Sequence, residues 1–286
     1  MPRVFDCFPF FNELDLLDLR LETLDPIVDF FVIAESPVTY RGEPKPMHFL
    51  ENRGRFAKFL PKIRHVPVND IPRASGFDEN WERETFQRGA LERGLHDARD
   101  EDIVMMSDLD EIPRPEKILH AIRAERGLRI FKMRTFAYFA NCEPHPGNWW
   151  WNGTAMSDYR LAKGRFEYIL RKLPTRLMNV PENRLRKRIS IQFKILFRCR
   201  LRGIPVTFIP EGGHHFSWLG GASAVLKKRG AISIHGGEVF PDDYLTENAA
   251  AQAVRQTMSL ARPVDETMPP LLRDPRFSKM LAPVNP

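Results

Sequence analysis

The stretch DIVMMSDLDE, residues 102–111, is a short apolar run that passes without a break into acids. An uninterrupted apolar run of this length predicts a strand buried on both faces, the habit of parallel sheets. The acids that follow then occupy the loop beyond its carboxyl end. Working outward, FFVIA (Phe30–Ala34) is a second such run and ends in Glu35-Ser36-Pro37, while Val4–Phe10 and Ile63–Val68 read as two more strands. Leu14, Leu17, Leu21 and Leu24 recur at helical spacing, with Asn12 as the expected cap, Glu13 and Asp15 in the first turn, and Pro26 at the end. Trp81–Ala98 and Pro115–Glu125 are two further predicted helices, and Leu128–Tyr138 a further strand. This alternation predicts an α/β fold: an open, mostly parallel, Rossmann-like sheet flanked by helices. Ligands of such sheets bind beyond the carboxyl ends of the strands, where Glu35 and Asp108–Glu111 both fall.

The second half is less regular. Asn141–Tyr159 is rich in Trp, Asn, Gly and Pro and reads as a long loop; Ile204–Ile209 reads as a strand leading into Glu211-Gly-Gly-His-His, and Ala222–Arg229 as a helix. Ile232–Ile234 leads into His235-Gly-Gly-Glu238, and the Pro-rich tail from residue 263 is expected to pack on the surface. We take the chain as one domain with a 1–135 half, a 136–262 half and a 263–286 tail.

At 43% hydrophobic and 28% charged residues the chain is globular rather than disordered. No segment approaches the roughly 20 apolar residues that span a membrane, and acids arrive too early at the N-terminus for a secretory signal. The expectation is a cytoplasmic protein, or one peripheral on the inner face of the membrane. Cys7, Cys142 and Cys199 lie far apart without a CxxC pair, which argues against a disulfide scaffold or structural zinc. Net charge is +6, and the excess is local: between Arg171 and Arg202 stand eleven Lys or Arg against the single acid Glu182. Such a stretch favours an anionic partner such as a membrane surface, a phosphorylated glycan or nucleic acid.

Asp108 and Asp110, two apart in a strand-to-loop turn, can converge on one hard cation, Mn2+ or Mg2+, with a diphosphate supplying further ligands. Glu35, at the tip of its strand, is placed to hold ribose or base hydroxyls, and Lys45 or Arg41 to meet phosphates. Arg83, Glu84 and Arg88 share one helix; Glu84 and Arg88 form an i,i+4 pair, and either arginine is a candidate for orienting a nucleotide. His214, His215 and His235 compete to complete the metal site, and spacing does not choose among them. Trp149–Trp151 and Trp218 suit stacking on sugar faces or core packing equally.

Taken together and in order, FFNELDLLDLRLETLDPIVDFFVIAESPVTYRGEPKP, RETFQR, DIVMMSDLDEIP, GGHHFSW and SIHGGE resemble glycosyltransferase family 17, over roughly residues 4 to 240. The resemblance implies a GT-A fold, a UDP-sugar donor (UDP-N-acetylglucosamine), a divalent metal and inversion at the anomeric carbon. It makes Asp108 and Asp110 the DxD pair and Glu35, Arg83, Glu84 and Arg88 donor-site residues, and it puts His215 and His235 at motif positions. These 286 residues show neither the membrane anchor nor the cysteine-rich stem of the Golgi members, and the expectation is a bacterial-type member acting on a surface polysaccharide or lipid-linked glycan, with no nucleic acid as partner. Glu111, Asp158, Glu211 and Glu238 are the candidates for the base that deprotonates an acceptor hydroxyl. Two rival readings are a metal-dependent phosphoryl-transfer enzyme or nuclease using the same acids, and a non-catalytic protein that binds anionic surfaces.

Overall fold

The structure is a computed structural model, and it describes residues 2–72, 79–124, 126–143, 150–178, 185–231, 246–258 and 260–284. The apolar runs form strands. β1 (Val4–Phe10) is buried at all seven positions, Asp6 included. It is followed by α1 (Leu14–Leu24), β2 (Phe30–Glu35), α2 (His48–Asn52), a 3-10 stretch over Arg53–Lys62, and β3 (Ile63–Pro67). Next come α3 (Glu79–Ala90), β4 (Ile103–Met106), β5 (Glu111–Pro113), α4 (Pro115–Ala124) and β6 (Leu128–Ala137). The chain continues through β7 (Trp150–Asp158), α5 (Tyr159–Ala162), a π-helical turn over Tyr168–Lys172, α6 (Leu173–Met178) and α7 (Leu185–Leu201). It closes with β8 (Val206–Ser217), α8 (Gly221–Ala231), α9 (Glu247–Met258) and two 3-10 turns over Pro270–Arg273 and Pro275–Met280.

Among the described residues, one sheet of eight strands runs in the order β3-β2-β1-β4-β7-β6-β8-β5. β3, β2, β1 and β4 are parallel, β6 and β8 are parallel to each other, and β7 and β5 run against their neighbours. The predicted α/β architecture, mostly parallel and flanked by helices, is therefore the one observed. The reason the central strands read as unbroken apolar runs is visible in the two cores. Phe8, Phe31, Ile33, Ile103 and Met105 point to one face, under α1 and the C-terminal 3-10 turns. Cys7, Val32, Ala34, Val104 and Met106 point to the other, under the end of α3 and the 159–177 segment. Alternate side chains thus enter two different cores, and across β1, β2 and β4 only Phe30, at the start of β2, is partly exposed.

Five expectations change. Residues 150–158, read as part of a loop, form β7, which pairs with β4 on one side and β6 on the other. Two paired neighbours satisfy its backbone, and Gly153 is fitted to the position: a Cβ there would sit 2.4 Å from Met133 Sδ. The GGHH segment also lies in a strand, because β8 runs on through Ser217 and pairs Gly213 with Pro113 of β5. A Cβ on Gly213 would stand 2.3 Å from the Ile112 carbonyl oxygen, so this glycine permits the close approach of β5. Asn12 does not cap α1; Glu13 occupies the cap position, without a side-chain cap bond. In the tail, Met268, Leu272, Phe277 and Met280 are buried in the first core rather than laid on the surface. The helix expected over 81–98 gives way at Ala90 to a 3-10 turn over Leu91–Leu95.

Candidate functional site

The carboxyl ends of β1, β2 and β4 share one edge of the sheet, where Phe10 pairs with Glu35 and Met106 with Cys7. The antiparallel β7 brings its amino end, with Trp151, to that same edge, and β8 brings His215 and Ser217. There a cleft of about 260 Å³ opens. Its charged lining is Glu13, Glu84, Asp108 and Asp110 against Lys45, Arg88, Arg171 and Lys228, with His215, Trp151, Trp218 and Tyr40 beside them.

Asp108 is held by two arginines. Arg88 pairs with its Oδ1, and Arg171 Nη2 donates to its Oδ2 at 2.7 Å. Burial opposes the charge, yet the Arg171 and Arg88 guanidiniums outweigh it and hold the Asp108 carboxyl well below the usual range. Glu84 accepts from Arg88 at 2.6 Å, so the i,i+4 pair is also one arm of the site. Asp110 accepts from Lys228 Nζ at 3.1 Å, and the same ammonium stands 3.6 Å from Glu13. Burial disfavours the Lys228 charge, but Asp110 and Glu13 keep it above the ordinary lysine range. Lys45 lies against the Phe11 ring at 5.5 Å, and burial lowers its pKa.

Glu111 is fully buried behind these groups. Its Oε2 accepts the Asp108 backbone N–H at 3.1 Å, and its Oε1 accepts from Trp151 Nε1 at 2.6 Å and Arg171 at 3.3 Å. Burial pushes its pKa up despite Arg171. In this position it buttresses the Asp108 turn and fixes the Trp151 ring, on which His215 stacks at 4.8 Å. His215 faces Glu111 across the β5–β8 ladder. His214, its neighbour, points the other way and hydrogen-bonds the Thr267 carbonyl at 2.7 Å, so His215 is the histidine of that pair beside the acids.

The donor set admits a divalent cation. His215 Nε2 and Asp110 Oδ1 stand 3.9 Å apart. That is too far for a hydrogen bond, but within the about 4.2 Å that two ligands at roughly 2.1 Å from one ion can span. Among the described residues, no three of His, Cys, Asp and Glu converge into a ready-made cage. An ion here would need ligands from whatever else enters the cleft, as the sequence reading supposed.

The remaining expected site residues are placed as follows. Glu35 is fully buried and outside the lining of the cleft: it accepts the backbone N–H of Phe49 at 2.8 Å and of Leu50 at 3.3 Å, meets His65 Nε2 at 3.1 Å, and stands 4.0 Å from the Nζ of Lys45, which does line it. Arg83 does not line the cleft; it donates to the Tyr40 carbonyl at 3.1 Å and so braces the loop that does. Asp158 pairs with Ile103, the first residue of β4, which puts it at the opposite edge of the sheet, in an ion pair with Arg129 at 2.9 Å. The Glu211 side chain is 52% exposed and faces Arg134 at 4.0 Å, away from the lining. His235 and Glu238 lie outside the described residues.

Two cations of the site were not singled out from sequence. Arg171 stood within the basic stretch, and Lys228 within a short basic run. A signal existed for Lys228, which follows the buried Val225 by three residues on α8 and so shares its inward face.

The sequence profile of glycosyltransferase family 17 matches residues 1–151. That covers more than half of the 286 residues and includes β1 to β4 and the acidic turn. The chain belongs to glycosyltransferase family 17. It is 32% identical over 123 residues to the beta-1,4-mannosyl-glycoprotein 4-beta-N-acetylglucosaminyltransferases of Rattus norvegicus and Homo sapiens, a match over 41% of this chain. The match takes in 23% of each of those family 17 relatives. Among solved structures, the apo form of the glycosyltransferase GlyE of Streptococcus pneumoniae superposes with a TM-score of 0.35 at 12% identity, over 72% of this chain and 45% of that one.

Proposed function

We propose that this chain is an inverting glycosyltransferase that seats a nucleotide-sugar donor in the cleft at the carboxyl edge of its sheet. The donor we favour is UDP-N-acetylglucosamine, and the acceptor a glycan or a lipid-linked glycan. One observation carries the reading: Asp108 and Asp110 line the same cleft as Lys45, Arg88, Arg171 and Lys228. The name of the mammalian relatives supports the choice of N-acetylglucosamine.

In this reading the chain's own residues do most of the electrostatic work. Arg88 and Arg171 hold Asp108 in one orientation and, with Lys228, present positive charge to a diphosphate as it leaves. Glu111 keeps the turn and the Trp151 ring in place, and Trp151 and Trp218 offer aromatic faces to a sugar. Asp110 and His215, with Asp108 beside them, would hold a Mn2+ or Mg2+ ion, which when bound neutralises charge on the diphosphate. The acceptor hydroxyl attacks the anomeric carbon from the side opposite the diphosphate, and its proton passes to a carboxylate.

A thermal-shift screen of UDP- and GDP-sugars, each with and without Mn2+, tests the donor without needing an acceptor. Stabilisation by a UDP-sugar, strengthened by Mn2+ and lost in Asp110→Ala, is expected. Failure of every nucleotide sugar to shift the wild-type melt would overturn the reading.

A further inference from the structure

Helix α7 carries a second surface that the transferase reading does not use. Its sequence from Phe193 is FKILFRCRL, and Phe193, Phe197 and Leu201 are 68%, 52% and 71% exposed. At about 100° per residue these three, spaced by four, form one stripe along the helix. The Phe193 and Phe197 rings stack at 6.3 Å with an interplanar angle of 10°, so the stripe is continuous rather than three isolated side chains. The opposite face, Ile195, Leu196 and Cys199, packs into the second core together with Ile169 and Leu170, the neighbours of Arg171. The helix is therefore fixed to the body of the protein by one side and presents large apolar groups to water on the other. A solvent-facing pair of phenylalanines and a leucine on one stripe is not what a solvated basic helix needs.

The charge around the stripe identifies what covers it. Lys194 and Arg198 flank it on one side and Arg200 on the other, all exposed, and none of the three is in an ion pair with a described residue. Apolar side chains bordered on both flanks by cations that make no ion pair among the described residues match the boundary between anionic headgroups and acyl chains. A protein partner would have to supply both an apolar groove and two acidic rims, whereas an anionic bilayer supplies both with no further fitting. No helix among the described residues is long and apolar enough to cross a membrane, so the contact lies in the plane of the surface.

We propose that α7 is a membrane-surface anchor: Phe193, Phe197 and Leu201 enter the interfacial layer of an anionic bilayer, and Lys194, Arg198 and Arg200 pair with its headgroups. The inference does not depend on the donor assigned above. If both hold, the shared packing of α7 with the turn that carries Arg171 ties the catalytic cleft to the membrane, where a lipid-linked acceptor would be found.

Co-sedimentation of the full chain with phosphatidylglycerol–phosphatidylcholine vesicles, against pure phosphatidylcholine vesicles, tests this. Binding to the anionic vesicles alone is expected, falling as salt is raised. Phe193→Ser/Phe197→Ser/Leu201→Ser and, separately, Lys194→Gln/Arg198→Gln/Arg200→Gln should each weaken it roughly tenfold or more. Both sets change exposed side chains, so melts and UDP-sugar shifts should match the wild type; if the first set misfolds, Leu201→Ser and the Gln set decide. Equal binding to neutral vesicles, or full binding by either variant, overturns the proposal. So does a stripe that mediates only self-association, seen as a dimer in light scattering that the Ser variant makes monomeric while lipid binding is absent.

Discussion

Arg20 and Asp6 form a bidentate ion pair in which both side chains are fully sealed from solvent: Arg20 Nη2 meets Asp6 Oδ1 at 2.7 Å and Nε meets Oδ2 at 2.8 Å. The rest of the guanidinium is spent on the acidic turn. Nη1 donates to the carbonyls of Asp108, Leu109 and Glu111 at 3.0, 3.1 and 2.9 Å, and Nη2 donates to Ser107 Oγ at 2.6 Å. A single side chain from α1 thus fixes the backbone that aims Asp108 and Asp110, without itself reaching the cleft.

Replacing Arg20 with Met should therefore cost twice. It leaves Asp6 as an unpaired buried charge and takes a donor from four polar groups of the turn, of which the Asp108 and Glu111 carbonyls keep a second donor in the Glu111 N–H and Thr154 Oγ1, so a loss of about 3–5 kcal/mol in unfolding free energy is expected. Urea unfolding measures this. Asp6→Asn in the same background should recover part of the loss, because it removes the stranded charge; no recovery would mean that the pair is not coupled as described.

A different outcome is expected at Asp108. Asp108→Asn removes the anion that separates Arg88 and Arg171, two largely buried cations that then repel each other. The variant should melt lower than the wild type by the equivalent of roughly 1–3 kcal/mol, the partial exposure of Asp108 keeping the figure small. UDP, whose diphosphate can meet both guanidiniums, should raise its melt by more than it raises that of the wild type. An equal or smaller shift would show that the arginines do not face the diphosphate.

Much of the fold could be read because its central strands are buried on both faces, which leaves an unbroken apolar signature in FFVIA and DIVMM. β7 left no such mark. It is held by neighbours on both sides, and its Trp, Asn and Gly composition resembles a loop until β4 and β6 are known to flank it. The acids of the site were legible from their place after a strand, whereas their partners were not. Arg171 looks like any member of a basic stretch, and only the packing of the 168–172 turn onto the second core directs it inward. Arg20 carried a usable sign: it sits three residues after Leu17 and four before Leu24, within the apolar stripe of α1, where an arginine must be paired.

Arg171 and Arg198 give a direct comparison within one basic stretch. Arg171→Gln should weaken UDP-sugar binding by roughly tenfold or more, the scale of a charge-assisted contact to phosphate, and leave vesicle binding unchanged. Arg198→Gln should do the reverse. Isothermal titration with a UDP-sugar, set beside vesicle co-sedimentation, reads both. Equal effects of the two on nucleotide binding would place the whole stretch, and not Arg171 alone, at the cleft.

His214 sets an acid limit on stability. Its Nε2 must carry the proton in its bond to the Thr267 carbonyl, which can only accept, and burial among Arg114, Arg134 and Arg262 lowers its pKa to about 4. In the unfolded chain an imidazole titrates near 6.5. Because the folded-state value is the lower one, the unfolded state takes up its proton first as the pH falls, so the stability this neutral histidine contributes is complete above about 6.5 and drains away down to about 4. Between about pH 7.5 and about pH 5 the loss should approach 2 kcal/mol from this residue alone. His214→Gln keeps a donor for Thr267 without a titrating group. It should be less stable than the wild type at the higher pH, yet lose about 2 kcal/mol less on acidification. Urea unfolding of both proteins at the two pH values checks this, and parallel losses in the two would remove His214 as the cause.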